Sequence, residues 1–135
     1  MNGLLHAHSG LRFLVLLFGL GNVGLCVIGI ARKQEFTRLA RIAGSVFIGT
    51  VHLQLLLGVV MIALGRWYPK LIGHLVMMLL GAALAQVMLI RNRKSAKPGY
   101  LLPLLGIGGA LVLIVGGIYA IGRSPFAMTV LQGNG

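Results

Sequence analysis

Four long apolar stretches, separated by short charged or turn-forming segments, organise this chain. They cover about residues 8–31, 39–65, 70–91 and 100–122. The breaks are Arg32-Lys33-Gln34-Glu35, then Arg66-Trp67-Tyr68-Pro69-Lys70, then Arg91-Asn92-Arg93-Lys94 with Pro98-Gly99 behind it. Gly122-Arg123-Ser124-Pro125 closes the fourth stretch. Each stretch meets or exceeds the roughly 20 apolar residues that carry a helix across a bilayer core of about 30 Å. Proline and glycine pairs mark the breaks, and Pro103 is tolerated in a first helical turn. Connections this short make sequential helices antiparallel neighbours. The pattern therefore predicts an all-α fold: one domain, residues 1–135, an integral membrane four-helix up-down bundle with both termini on one face. No cleavable signal peptide is expected, because no basic segment precedes a first apolar run that is itself too long.

Composition agrees. Of the 135 residues, 58% are hydrophobic and only 10% charged, against roughly a quarter charged in a water-soluble domain. The mean hydropathy is +0.97. Most of the surface thus has no need of water, and the lipid bilayer is the first partner. The net charge of +11 would suggest nucleic acid in a soluble protein. Its placement argues instead for membrane topology and attraction to anionic lipid, and no nucleic-acid partner is expected. The first and third connections hold Arg32, Lys33, Arg38, Arg41, Arg91, Arg93, Lys94 and Lys97, with Glu35 the lone acid. The opposite side holds Arg12, Arg66, Lys70 and Arg123. The richer side belongs in the cytoplasm of a bacterial-type inner membrane, leaving both termini outside. Trp67, Tyr68 and Tyr100 fall where interfacial aromatics belong.

Small residues line two of the stretches. Gly106, Gly109, Gly116, Gly117 and Ala120 share one side of the fourth helix, and Gly81, Ala82 and Ala85 share one side of the third. Close approach of membrane helices is the favoured use of such residues; room for a flat cofactor is the other.

Polar groups inside a membrane are costly and usually functional. No carboxylate lies in any stretch, which weighs against a proton-coupled transporter, and no hydrolase triad or metal-hydrolase spacing is present. His6, His8, His52 and His74 remain, with Arg12, Asn22, Gln54 and Gln86. At about 1.5 Å per residue, His6, His8 and His74 share a depth near the outer side, whereas His52 falls near the midplane. Two histidines from different helices at one depth are what axial ligation of a b-type haem requires. His8 is preferred to His6 because it is deeper and stands in His8-Ser9-Gly10-Leu11-Arg12. The two point about 200° apart around a helix, so only one serves. The face below His74 runs Met78, Gly81, Ala82, Ala85 and offers a lane for a porphyrin. Arg12, with Arg66, Lys70 and Arg123, would meet the propionates. His52, Gln54, Asn22 and Gln86 lie within a turn or two of one another in depth. Interhelical hydrogen bonding is their favoured use, and a quinone headgroup site the sharper alternative.

A family resemblance sits on the same residues. The run His52-Leu53-Gln54-Leu55-Leu56-Leu57-Gly58, then Pro69, then Gly73-His74-Leu75 and an alanine-rich stretch, resembles half of a haem A synthase. There a Gln-x-x-Leu-Gly helix precedes a helix opening with a haem-ligating His-Leu, and the preceding helix carries the partner histidine. That partner falls here near His6 and His8. The resemblance covers roughly residues 6 to 90 and extends to four-helix b-type cytochromes generally. This chain has one such half and no Glu-x-x-His-Arg form of the partner motif, so the resemblance implies a one-haem bundle rather than haem A synthesis.

The sequence thus leads to a membrane-embedded b-type cytochrome, or a haem-bearing subunit, passing electrons between the quinone pool and an outer-face redox protein. It would hold one haem b, with a quinone as second cofactor, and associate with other membrane subunits or copies of itself. Its rivals are a haem-free accessory subunit of a respiratory or photosynthetic complex and a small oligomeric transporter.

Overall fold

A computed structural model of the protein describes residues 2–121. Those residues form four helices, α1 (Asn2–Ala31), α2 (Arg38–Ala63), α3 (Leu71–Lys94) and α4 (Leu101–Ala120), and no strand. All four are long and apolar enough to cross a membrane. This is the expected all-helical membrane bundle, and the protein associates with a lipid bilayer as a multi-pass chain.

Local chemistry sets the helix ends. Thr37 caps α2, its Oγ1 accepting from the Ala40 amide at 3.1 Å, which satisfies one donor that the first helical turn leaves unpaired. At the other end of α2, Gly65 turns left-handed with φ +100°. Its amide donates to the Ile62 carbonyl and the Arg66 amide to the Met61 carbonyl, both at 3.0 Å, the paired closure of a Schellman motif. The same closure ends α1, with Lys33 at φ 53° in the position glycine usually takes. α1 starts at Asn2 rather than near residue 8, because nothing between Gly3 and Gly10 interrupts the helix. Pro103 lies in the first turn of α4, as expected.

The helices form a ring. α3 and α4 pack most extensively, α1 meets both α2 and α4, and α2 and α3 are the least packed neighbours. The start of α1 and the end of α4 consequently lie at the same end of the bundle. Phe47 and Ile107 are fully buried at the centre, surrounded by Val15, Val51, Ala85, Ala110, Leu111 and Ile114. The outside stays apolar: Leu17, Leu39, Leu56 and Val112 are all more than half exposed. Lipid tails, not water, are the solvent such a surface suits.

The small residues of α3 and α4 face each other. A Cβ at Gly106 would stand 2.6 Å from Met88 Cβ and 3.4 Å from Ala85 Cα, and one at Gly81 would stand 3.3 Å from the Ala110 carbonyl oxygen. The expected lane beneath His74 is therefore filled by α4 backbone, and Gly81 is a helix-packing residue rather than part of a cofactor surface.

Tyr100, at the start of α4, is buried. Its ring meets Phe36 edge-on at 5.2 Å, lies against Gly29, and its hydroxyl donates to the Glu35 carbonyl at 3.1 Å. The first and third connections are joined by this contact, and Asn92 Oδ1 holds the Gly99 amide beside it. Trp67, in the connection between α2 and α3, is about half exposed.

Candidate functional site

At the opposite end of the bundle, beneath the loop joining α2 and α3, lies a cavity of about 120 Å³ to which all four helices contribute. Its polar lining is His8, Ser9 and Arg12 from α1, Gln54 from α2, Arg66 and Tyr68 from the loop, and His74 from α3. Val15, Val51, Met78, Ile114 and Ile118 make its apolar floor. The cavity exists because α2 and α3 are the least packed pair, while the small-residue contact holds α3 against α4.

Each polar side chain has a definable local setting. α4 ends with the Ile121 amide turned back to the Ile118 carbonyl, so the carbonyls of its last turn need partners other than the helix itself. His74 supplies one: its Nδ1 lies 2.9 Å from the Gly117 carbonyl oxygen. A carbonyl only accepts, so Nδ1 carries the proton, and a neutral imidazole then has its lone pair on Nε2. Gly117 permits the approach, since a Cβ there would stand 2.6 Å from Met78 Cε and 3.0 Å from Met77 Cβ.

His8 is held from the α2 side. Gln54 Nε2 donates to the His8 backbone carbonyl at 2.7 Å. One turn further along α2, Gly58 passes the ring closely enough that a Cβ would lie 3.4 Å from His8 Cε1. Gln54 Oε1 is buried without a hydrogen-bond partner, an acceptor within the cavity lining. Arg12 is only 8% exposed and lies with its guanidinium 4.8 Å from the centre of the Phe13 ring, a cation–π contact. The chain's only acidic residue, Glu35, belongs to the connection at the other end.

The structure thus brings His8, Arg12 and His74 to one cavity, together with Arg66. His6 is exposed and does not line it, and Lys70 is exposed beyond its edge. Arg123 lies outside the described residues. The four mid-depth polar residues are not brought together. Asn22 clamps α1 to α2, its Nδ2 donating to the Phe18 and Ala43 carbonyls at 2.8 and 3.1 Å. Gln54 joins the cavity, while His52 and Gln86 are exposed on the outside of the bundle. Sequence reasoning missed two partners, the Gly117 carbonyl behind His74 and the Gln54 bond to His8. The second had a signal: Gln54 and Gly58 are one turn apart on the face of α2 that meets α1.

Two imidazoles and two guanidinium groups line the cavity, residue types that could ligate a haem iron and pair with its propionates. No group of three or more His, Cys, Asp or Glu side chains that could hold a metal ion occurs among the described residues. A porphyrin exceeds the cavity's volume, and walls such as Met61, Leu75 and Met78 would have to turn aside for one to enter. Comparison with protein-family models, curated proteins and solved structures finds no match.

Proposed function

We propose that this protein is a membrane-embedded b-type cytochrome, or the haem-bearing subunit of an electron-transfer complex, in which His8 and His74 would hold one haem b. The observation that carries this reading is the convergence of these two histidines and Arg12 on one cavity, with the His74 ring oriented by the Gly117 carbonyl. Haem supplies one-electron chemistry at its iron. The chain's residues do the rest. The Gly117 carbonyl fixes the His74 tautomer and makes the ring a better donor. Arg12 and Arg66 offer charge-assisted hydrogen bonds to propionates. The apolar floor excludes water and sets a low dielectric, which tunes the potential. Electrons pass between the quinone pool and a redox protein on the outer face. Reduced-minus-oxidised spectroscopy of the purified protein tests this directly. A low-spin haem b spectrum is expected; its absence sinks the cytochrome reading and leaves a haem-free accessory subunit in its place.

The proposed orientation puts the cavity at the outer surface of a bacterial-type inner membrane, both termini outside, with the basic connections in the cytoplasm. Lys70 and Ser95 are both exposed, at opposite ends of the bundle. In intact cells, a membrane-impermeant thiol reagent is expected to label Lys70→Cys and spare Ser95→Cys; the native Cys26 is buried. The reverse pattern would invert the orientation.

A further inference from the structure

Of the four mid-depth polar residues, His52 and Gln86 neither line the cavity nor clamp two helices together as Asn22 does, and the helix register relates them. Arg93 of α3 donates to Ser45 Oγ of α2 at 2.7 Å, which fixes where the antiparallel pair meets. His52 lies seven residues beyond Ser45 toward the cavity end, and Gln86 lies seven residues before Arg93 in the same direction. Seven residues is close to two turns, about 10 Å. Each side chain therefore lies on the same side of its helix as the Ser45–Arg93 contact, and the two flank the outer edge of one seam at matching depth. Both are exposed, and among the described residues neither makes a hydrogen bond.

We propose that this lipid-facing edge of the α2–α3 seam is a docking site for the headgroup of a lipid-soluble quinone. An imidazole N–H and a carboxamide NH₂ at one depth can each donate, so the pair can hold a ligand that presents two acceptor oxygens. The nearest charges on these two helices, Arg91 and Arg93, lie five and seven residues from Gln86 toward the basic connections, and Arg93 bonds Ser45, so a neutral ligand suits this depth. The seam at this depth opens to hydrocarbon, so the ligand arrives from within the bilayer. One turn from His52, Gly49 meets nothing within 4 Å of a Cβ position, which leaves a bare strip of helix on which a flat ring can lie. Leu53, Leu56 and Leu79 are exposed alongside and suit an isoprenoid tail. A quinone combines these properties. The inference deepens the electron-transfer reading by giving the quinone a place, and it separates the quinone from the cavity of His8 and His74. Binding at the seam does not itself require haem.

The test is photolabelling of the full chain in phospholipid nanodiscs with an azidoquinone. Label is expected in the segments 49–56 and 83–90, competed by excess unmodified quinone. The double variant His52→Leu, Gln86→Leu should lower the competed label by about tenfold, as expected for losing two membrane hydrogen bonds. Gly49→Leu keeps both polar groups but fills the strip, and should lower it similarly. Since all three positions are exposed, the thermal transition should not move. Label spread evenly over all lipid-facing segments, or unchanged in these variants, would overturn the site. So would conversion of an oligomer to a monomer by the double variant with no quinone competition, because a second copy would then be what covers the seam. Competed label at the seam in protein lacking haem absorbance would sustain the docking site while refuting the cytochrome reading. A haem spectrum with no competed label would do the opposite.

Discussion

His74→Ala is expected to remove the low-spin haem spectrum altogether, leaving either colourless protein or a high-spin five-coordinate species. The imidazole is one of the two proposed haem ligands, and donation from its Nδ1 to the Gly117 carbonyl leaves Nε2 as the acceptor nitrogen of the neutral ring. Loss of a partner that merely orients a metal-ligating histidine typically costs 10–100-fold in affinity, in order-of-magnitude terms; loss of the ligand itself should cost more. His8→Ala should behave likewise. His6→Ala and His52→Ala should leave the spectrum nearly intact, because both side chains are exposed and line no part of the cavity. The substitution of His74 also deletes a hydrogen bond of about 0.5–1.5 kcal/mol, so some destabilisation accompanies it whatever the role of the ring. Addition of free imidazole separates the two effects. A ligand site emptied by alanine should bind imidazole and recover the low-spin spectrum, whereas a merely structural loss would not respond. A damaging His6→Ala beside a harmless His8→Ala would move the ligand to the other face of α1.

The second large effect is expected at the α3–α4 contact. Gly106→Leu forces a side chain into Met88 Cβ and the Ala85 backbone. Neither can swing away as the end of a long side chain can. Overpacking of this kind costs about 1–3 kcal/mol and can exceed it, and because these helices are the most extensively packed pair, separation of α4 is the expected failure. Gly117→Leu should act similarly against Met77 and Met78, and it should also disturb the carbonyl that orients His74. Gly109 differs: its close neighbour is the end of the Leu84 side chain, which can move, so Gly109→Leu should be milder. Gly108→Leu is the control, since a Cβ there meets nothing within 4 Å. Thermal unfolding in one detergent, followed for all four variants, would refute the packing account if Gly106→Leu and Gly108→Leu melted together.

The spans and their antiparallel order were legible in the sequence because hydrocarbon imposes a length and a composition on anything that crosses it. A run of about 20 apolar residues bounded by Arg32-Lys33 or Arg91-Asn92-Arg93-Lys94 has few other readings. The matched depth of His8 and His74 was legible for the same reason: rise per residue converts position into depth. Rotation about each helix axis was not legible. The hydrophobic pattern runs nearly all round these helices, since lipid and protein interior are equally apolar, so it cannot say which side faces a neighbour. Only the packed bundle separated Gln54, turned toward His8, from His52 two residues earlier, turned to lipid. The packed bundle also decided that Gly81 lies against Ala110 and Gly106 against Ala85 and Met88, and that Tyr100 packs beneath the first connection. It alone placed the Gly117 carbonyl behind His74, because that contact joins residues 43 positions apart, and no local pattern encodes which side chain meets the last turn of another helix.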